Sequence, residues 1–181
     1  MRFLAWIALL PLVACQDRGV PPRRTVVADS ADQVLSGMST TISRDGVRES
    51  IVTADSTWIY EARQVSDLKT MIVTMFDSTG AVISRITADK GIYRIRDQSL
   101  DARGNVVATS PNGQVLKTQH LVYDTRANVV SSDTAFTSNS PKGSISGAYF
   151  TADPGFNHVR VTKPKDVRQK GRGTIIGKAK P

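Results

Sequence analysis

Ile86-Thr87-Ala88-Asp89-Lys90-Gly91-Ile92-Tyr93 returns further along the chain as Leu116-Lys117-Thr118-Gln119-His120-Leu121-Val122-Tyr123. The first, third, sixth and eighth positions of each stretch hold the apolar or small residues that match. Side chains of an extended strand alternate between faces, so the first pair shares one face and so does the second. The odd step between the pairs swaps parity, which a strand does at a bulge or a corner. Val52, Ala54, Thr57 and Ile59 carry the same offsets one repeat earlier, and Ile145, Gly147, Phe150 and Ala152 form a weaker fourth copy.

Turns punctuate these copies. Ser43-Arg44-Asp45-Gly46, Asp77-Ser78-Thr79-Gly80, Ser110-Pro111-Asn112-Gly113 and Ser140-Pro141-Lys142-Gly143 end in glycines at a nearly constant spacing. Shortly after each tyrosine a second strand pattern opens. Leu100, Ala102, Gly104 and Val106 alternate with Asp101, Arg103 and Asn105, and Val130, Ser132, Thr134 and Phe136 hold the equivalent places one repeat later. Each unit is therefore expected to be two strands, with a glycine turn before the next unit. One face is apolar with small residues and the other is charged, so the sheet has to fold over to bury the first. Such self-similarity points to an extended binding surface rather than a single catalytic pocket.

The start of the chain bears on compartment. Met1-Arg2 precedes an apolar run from Phe3 to Ala14, too short for a membrane-spanning helix and suited to a secretory signal. The run ends in Leu12-Val13-Ala14-Cys15, which resembles the lipobox of bacterial lipoproteins, where the cysteine is acylated and becomes the first mature residue. Cys15 is the only cysteine, so no disulfide forms within one chain. The alternative is an ordinary cleaved signal with an incidental cysteine. Cleavage before Cys15 leaves a mature chain from Cys15 to Pro181, long enough for one domain with a sizeable core.

The formal charge of +8 suggests nucleic acid until it is located. From Asp29 to Thr162 there are 13 basic and 14 acidic side chains, while Lys163 to Pro181 holds seven basic residues against Asp166 alone. The body is neutral, the basicity belongs to the tail, and an export signal removes nucleic acid from the partners. The organisation expected is a signal over 1–14, a lipidated cysteine and tether over 15–28, a β body over 29–162 and a basic, mobile tail over 163–181. His120 and His158 lack metal-ligand spacing, and no nucleophile has a partnered base in a recognisable motif. No catalytic residue, metal or cofactor is expected. Asp55 and Asp89 recur at one position of the repeat, where they would face each other as a carboxylate pair.

The array running from Ile86-x-Ala88-x-x-Gly91-x-Tyr93 through Leu100-Asp101-Ala102-Arg103-Gly104-Asn105-Val106 to Asn112-Gly113-x-x-Leu116-x-Thr118-x-x-Leu121-x-Tyr123-Asp124 resembles the OstA-like domain. That domain is shared by the lipopolysaccharide export proteins LptC, LptA and the N-terminal part of LptD, and the likeness covers Val52 to Val161. A single domain behind an N-terminal anchor resembles LptC, although many LptC proteins carry a transmembrane helix where this chain has Cys15. The resemblance implies an all-β, antiparallel β-jellyroll folded like a half-open taco, whose interior receives the acyl chains of lipopolysaccharide. It implies a bridge on the periplasmic side of the inner membrane, taking lipid from an inner-membrane ABC transporter and passing it to an LptA-like carrier by edge-to-edge strand pairing.

On that reading Ala88, Leu100, Ala102, Val106 and Leu116 face the lipid, as do Thr118, Val130, Ser132 and Phe136. Their small members leave an interior below core density, suited to lipid tails. Trp58 is the rim aromatic. The partner edges are an early strand around Ser36 to Ile42 and a late one around His158 to Thr162, with Val159 and Val161 at the late edge. The rival reading is a surface glycan-binding or glycan-acting β-solenoid, opposed by the low count of exposed tryptophan and tyrosine on which sugars stack.

Overall fold

Valine, isoleucine and threonine recurring at every second position favour extended chain, because branched side chains pack well on a pleated surface. The computed structural model describes residues 30–169, and within them the chain forms ten strands and no helix. These are β1 (Gln33–Arg44), β2 (Val47–Tyr60), β3 (Val65–Phe76), β4 (Val82–Arg94) and β5 (Ser99–Thr109), then β6 (Val115–Asp124), β7 (Val129–Ser132), β8 (Phe136–Ser140), β9 (Gly143–Ala152) and β10 (Val159–Gln169). Among the described residues no helix is long and apolar enough to cross a membrane. Cys15, the signal, the tether and the end of the tail lie outside the described residues.

All strands join one sheet in the order β1-β2-β3-β4-β5-β6-β7-β9-β10, with β8 pairing β6 and β9. Every pairing is antiparallel. A solenoid would need parallel stacked coils, so the rival architecture is overturned. The glycine turns fall between strands as expected, and two of them close by a backbone bond. Gly80 N–H donates to Asp77 C=O at 3.0 Å and Gly113 N–H to Ser110 C=O at 3.0 Å. Gly46, Gly80 and Gly113 have φ of 79°, 86° and 82°, the left-handed region that glycine enters without a steric cost.

The parity step is a crease that crosses the sheet. Buried positions skip two places, from Ala54 to Thr57, Leu68 to Met71, Ala88 to Gly91 and Thr118 to Leu121. On β5 the skip is one place longer, from Ala102 to Val106, and the extra residue shows in the register. Thr87 pairs with Val107 but Lys90 with Arg103, and Arg103 pairs with His120 but Val106 with Thr118. Gly104 and Asn105 make this bulge with φ of 76° and 47°. Gly37 on β1, Thr70 on β3 and Lys163 on β10 lie near the same line, also at positive φ. The expected strand from Val130 to Phe136 is broken by the crease into β7 and β8.

Creasing folds the sheet so that its two arms share one core, with residues from both in a single cluster. Phe136 and Phe150 meet edge to face with centroids 4.9 Å apart. Gly91 sits where a Cβ would run into Met71 Sδ, and the next copy of the repeat has Leu121 at this position. At the lips of the fold the Arg44 guanidinium donates to the Thr125 carbonyl, and the Ser84 hydroxyl donates to the Pro154 carbonyl at 2.6 Å. The result is the expected antiparallel jellyroll.

The expected body boundary at Thr162 is too early. β10 continues along β9 to Gln169, with Gln169 opposite Gly143. Pro164 is accommodated by a register shift between Pro164 and Asp166, the kind of edge position where a missing N–H is tolerated. A run of charged residues with one proline hid this strand from a hydrophobicity reading.

Candidate functional site

The residues expected to face lipid converge on the interior. Ala88, Leu100, Ala102, Val106, Leu116, Val130 and Phe136 all belong to the buried core cluster. Thr118 and Ser132 are buried with them, their hydroxyls 3.0 Å apart, and Thr118 Oγ1 lies 2.8 Å from Thr134 Oγ1. These residues fill the space between the arms instead of lining an open groove. The expectation of an under-filled interior is corrected on this point: Met71, Met75, Phe150 and Phe156 occupy the volume left by the small residues. Hydroxyl-bearing side chains are buried there too, among them Ser50, Thr57, Ser84 and Ser138, so the inner surface is less greasy than the strand pattern implies. Ser50 Oγ is buried without a hydrogen-bond partner.

Three concavities surround this interior. The cleft between the lips has a volume of about 480 Å³ and is lined by Met75, Phe76, Ile83, Tyr123 and Pro154 among charged neighbours. A hollow of about 350 Å³ at the crease is reached by Val106, Thr118 and Phe136. Trp58 lies in a third, of about 520 Å³, beside Lys69, Lys90, Ile92 and Arg103. It stands opposite Asp67 on the face away from the core, so its rim position is on the outer surface of the arm.

Tyr123 is buried at the lip with its hydroxyl 3.3 Å from Asn128 Oδ1. Burial, aided by the nearby Glu49 charge, pushes its phenol up to about 12. Asp55 and Asp89 do not form a carboxylate pair. β3 lies between their strands, and Asp89 Oδ2 instead accepts from Asn105 Nδ2 at 2.8 Å.

Sequence reading missed one ionic network. Asp101, on the charged face, is buried, because three strands bring partners to it. Arg103 donates at 2.8 and 3.0 Å, Arg94 at 3.3 Å, and His120 Nε2 lies 3.0 Å away. The other ring nitrogen, His120 Nδ1, is 2.6 Å from Asp133 Oδ1. Burial pushes the Asp101 carboxyl up, but the Arg103 hydrogen bonds and the His120 and Arg103 charges outweigh it, and the carboxyl sits below its ordinary 3.8. The only signal in the sequence was an Asp-x-Arg pair on one strand face.

Such a depressed carboxyl stabilises the fold fully above the ordinary carboxylate range, and the contribution is lost as pH falls through the lower folded value. Asp101→Asn is expected to cost about 3 kcal/mol at neutral pH, the low end for breaking a buried pair whose remaining partners reach water. Melting temperatures followed from neutral to acid pH check this: the difference from wild type should shrink on the acid side. A constant difference would remove the charge network from the account of stability.

The described residues thus form an all-antiparallel sheet, creased across its strands, closed over an apolar and hydroxyl-bearing interior, and open at β1 and β10. The family described as lipopolysaccharide-assembly, LptC-related, matches residues 3–155. The chain belongs to this family. Among solved structures the fold resembles LptH of Pseudomonas aeruginosa, the LptA-homologous periplasmic component of the lipopolysaccharide transport device, with a TM-score of 0.50 and 14% identity. That likeness covers 73% of this chain and 90% of LptH, and it concerns the fold. No curated protein matches the chain. The match begins at residue 3, well ahead of the first strand at Gln33.

Proposed function

We propose that this LptC-family protein is a lipid-binding bridge of the periplasmic lipopolysaccharide export system. It receives lipopolysaccharide from an inner-membrane ABC transporter and passes it to an LptA-like carrier. The observation that carries the reading is a jellyroll with an apolar interior whose first and last strands each have a single neighbour among the described residues, β2 for β1 and β9 for β10. Open edges present unpaired N–H and C=O groups that another sheet can complete. LptH, a similar fold, is a periplasmic component, which supports the same compartment. Acylated Cys15 holds the chain at the inner membrane, where several acyl chains, each worth about 0.8 kcal/mol per buried methylene, suffice. No catalytic step is part of this role.

The test is capture. Purified protein should retain lipopolysaccharide through gel filtration, and the Cys15→Ala chain should leave the membrane fraction while still capturing it. A folded chain that retains no lipopolysaccharide would overturn the lipid-binding role, and one that stays with membranes without Cys15 would overturn the anchor.

A further inference from the structure

The folded interior holds no room for an acyl chain. Val73, Val106, Leu116 and Val130 are 0% exposed, and the space between the arms is occupied by core side chains. A lipid-binding role therefore requires the arms to part, and the structure shows where they are held and where they bend. We propose that the cleft between the lips is the port through which acyl chains reach the interior, and that the arms open there by flexing at the crease. This inference rests on the lipid-binding reading and adds the route to it.

Met75 and Tyr123, one from each side of the cleft, are core residues that also line it. Phe76, Ile83 and Pro154 continue the apolar surface outward. An acyl chain that enters between them meets the core directly. Two hydrogen bonds span the cleft, from the Arg44 guanidinium to the Thr125 carbonyl and from the Ser84 hydroxyl to the Pro154 carbonyl. Each joins segments far apart in sequence, so they act as latches between arms and not as parts of one strand pair.

The crease supplies the hinge. On β4, β5 and β6 the ladder is already interrupted there, between Thr87 and Lys90 and between Arg103 and Val106. Bending at that line breaks no further pairing between β4 and β5 or between β5 and β6, while the β3–β4 ladder, unshifted from Lys69/Lys90 to Met71/Ala88, has to flex. Gly104, with nothing beyond Cα, faces the Asp89 carboxylate there, and a glycine absorbs a change of φ and ψ that other residues resist.

The cleft's charge orients the ligand. Asp45, Glu49, Asp77 and Asp153 stand around it against Arg44 and Arg48, an excess of two negative charges. Backbone and side-chain hydrogen bonds in their turns keep the Asp77 and Asp153 carboxyls below their ordinary values, against the effect of burial. A phosphate is repelled at this lip and an acyl chain is not, so a phosphorylated glycolipid enters tails first with its phosphates held outside.

A covalent latch tests the port. Ser84→Cys/Pro154→Cys in the full chain with Cys15→Ser has one thiol pair, on the two residues joined across the lips by the Ser84 hydroxyl and the Pro154 backbone carbonyl. Uptake of fluorophore-labelled lipopolysaccharide should be at least tenfold slower in the oxidised chain, and return to the wild-type rate on reduction. The Arg44→Gln/Ser84→Ala chain, which lacks both latches, should take the lipid up several-fold faster. Wild-type uptake by a chain whose cross-link is verified by mass spectrometry overturns the port. If the bridge does not form, an unchanged rate in the folded latch-free chain overturns it instead. A wild-type chain that captures no lipopolysaccharide sinks the lipid-binding reading itself, which the locked chain alone does not test.

Discussion

Ala102→Asp should leave the chain largely unfolded. Ala102 is 1% exposed on β5, between Gly91 on β4 and Leu121 on β6, where the neighbours that share its inner face are apolar. A carboxylate there is desolvated without a partner, at several kcal/mol, and its extra atoms overpack a filled core for about 1–3 kcal/mol more. A domain of this size has about 5–15 kcal/mol in total, so the sum removes most or all of it. The matched change on the outer face is Thr151→Asp, exposed on β9 beside buried Ala152, and it should fall within about 0.5 kcal/mol of wild type. Thr118→Asp lies between these extremes, because Thr118 reaches the hollow at the crease, where a carboxylate finds water. Chemical denaturation with circular dichroism reads all three. A folded Ala102→Asp chain with wild-type stability would mean that the arms stand open in solution and the interior is wet.

An interior left below core density by its small residues, as the strand pattern implies, would spare the fold from such a charge. The difference comes from Met71, Met75 and Phe150, which cross the interior from other strands and fill what alanine and threonine leave. On the outer face Arg103 is not equivalent to Thr151, since it holds buried Asp101 at 2.8 Å.

What the sequence showed was local. The parity step in Ile86-x-Ala88-x-x-Gly91-x-Tyr93 is a geometric statement about one strand, and copies of it in register make a crease. The turn glycines likewise encode a conformation at their own positions. What the sequence hid depends on neighbours. Asp101 reads as a solvated face residue until β4 and β6 bring Arg94 and His120 to it. β10 reads as a charged tail until β9 supplies the hydrogen bonds that its own side chains do not advertise. Whether an interior is filled is a property of all the strands at once, and no single strand's alternation reports it.

Proline within Val159 to Thr162, at the positions whose N–H groups point away from β9, should lower affinity for the LptA-like carrier by at least tenfold while transporter binding persists. β10 is an edge strand, and its two halves are unlike. From Lys163 onward it carries Lys163, Pro164 and Lys165 and a register shift before Asp166, the features that keep an edge from pairing. From Val159 to Thr162 it has none of these but Arg160, so the pairing segment is short and lies where Val159 and Val161 pack against the core. Successive N–H groups of a strand point to opposite sides in the sheet plane. One of the sets Val159/Val161 and Arg160/Thr162 therefore directs its donors at β9, and the other directs them outward to a partner. Proline in the first set should lower the melting temperature, and in the second it should lower carrier affinity with the fold intact. β1 is the converse edge: from Gln33 to Ser43 it has no charged residue and no proline, and Thr40→Pro should weaken transporter binding while sparing the carrier. Pull-downs with each partner, paired with melting curves, separate these effects. If every β10 proline variant that folds still binds the carrier as wild type does, the handover does not run through this edge, and the bridge model fails at its second step.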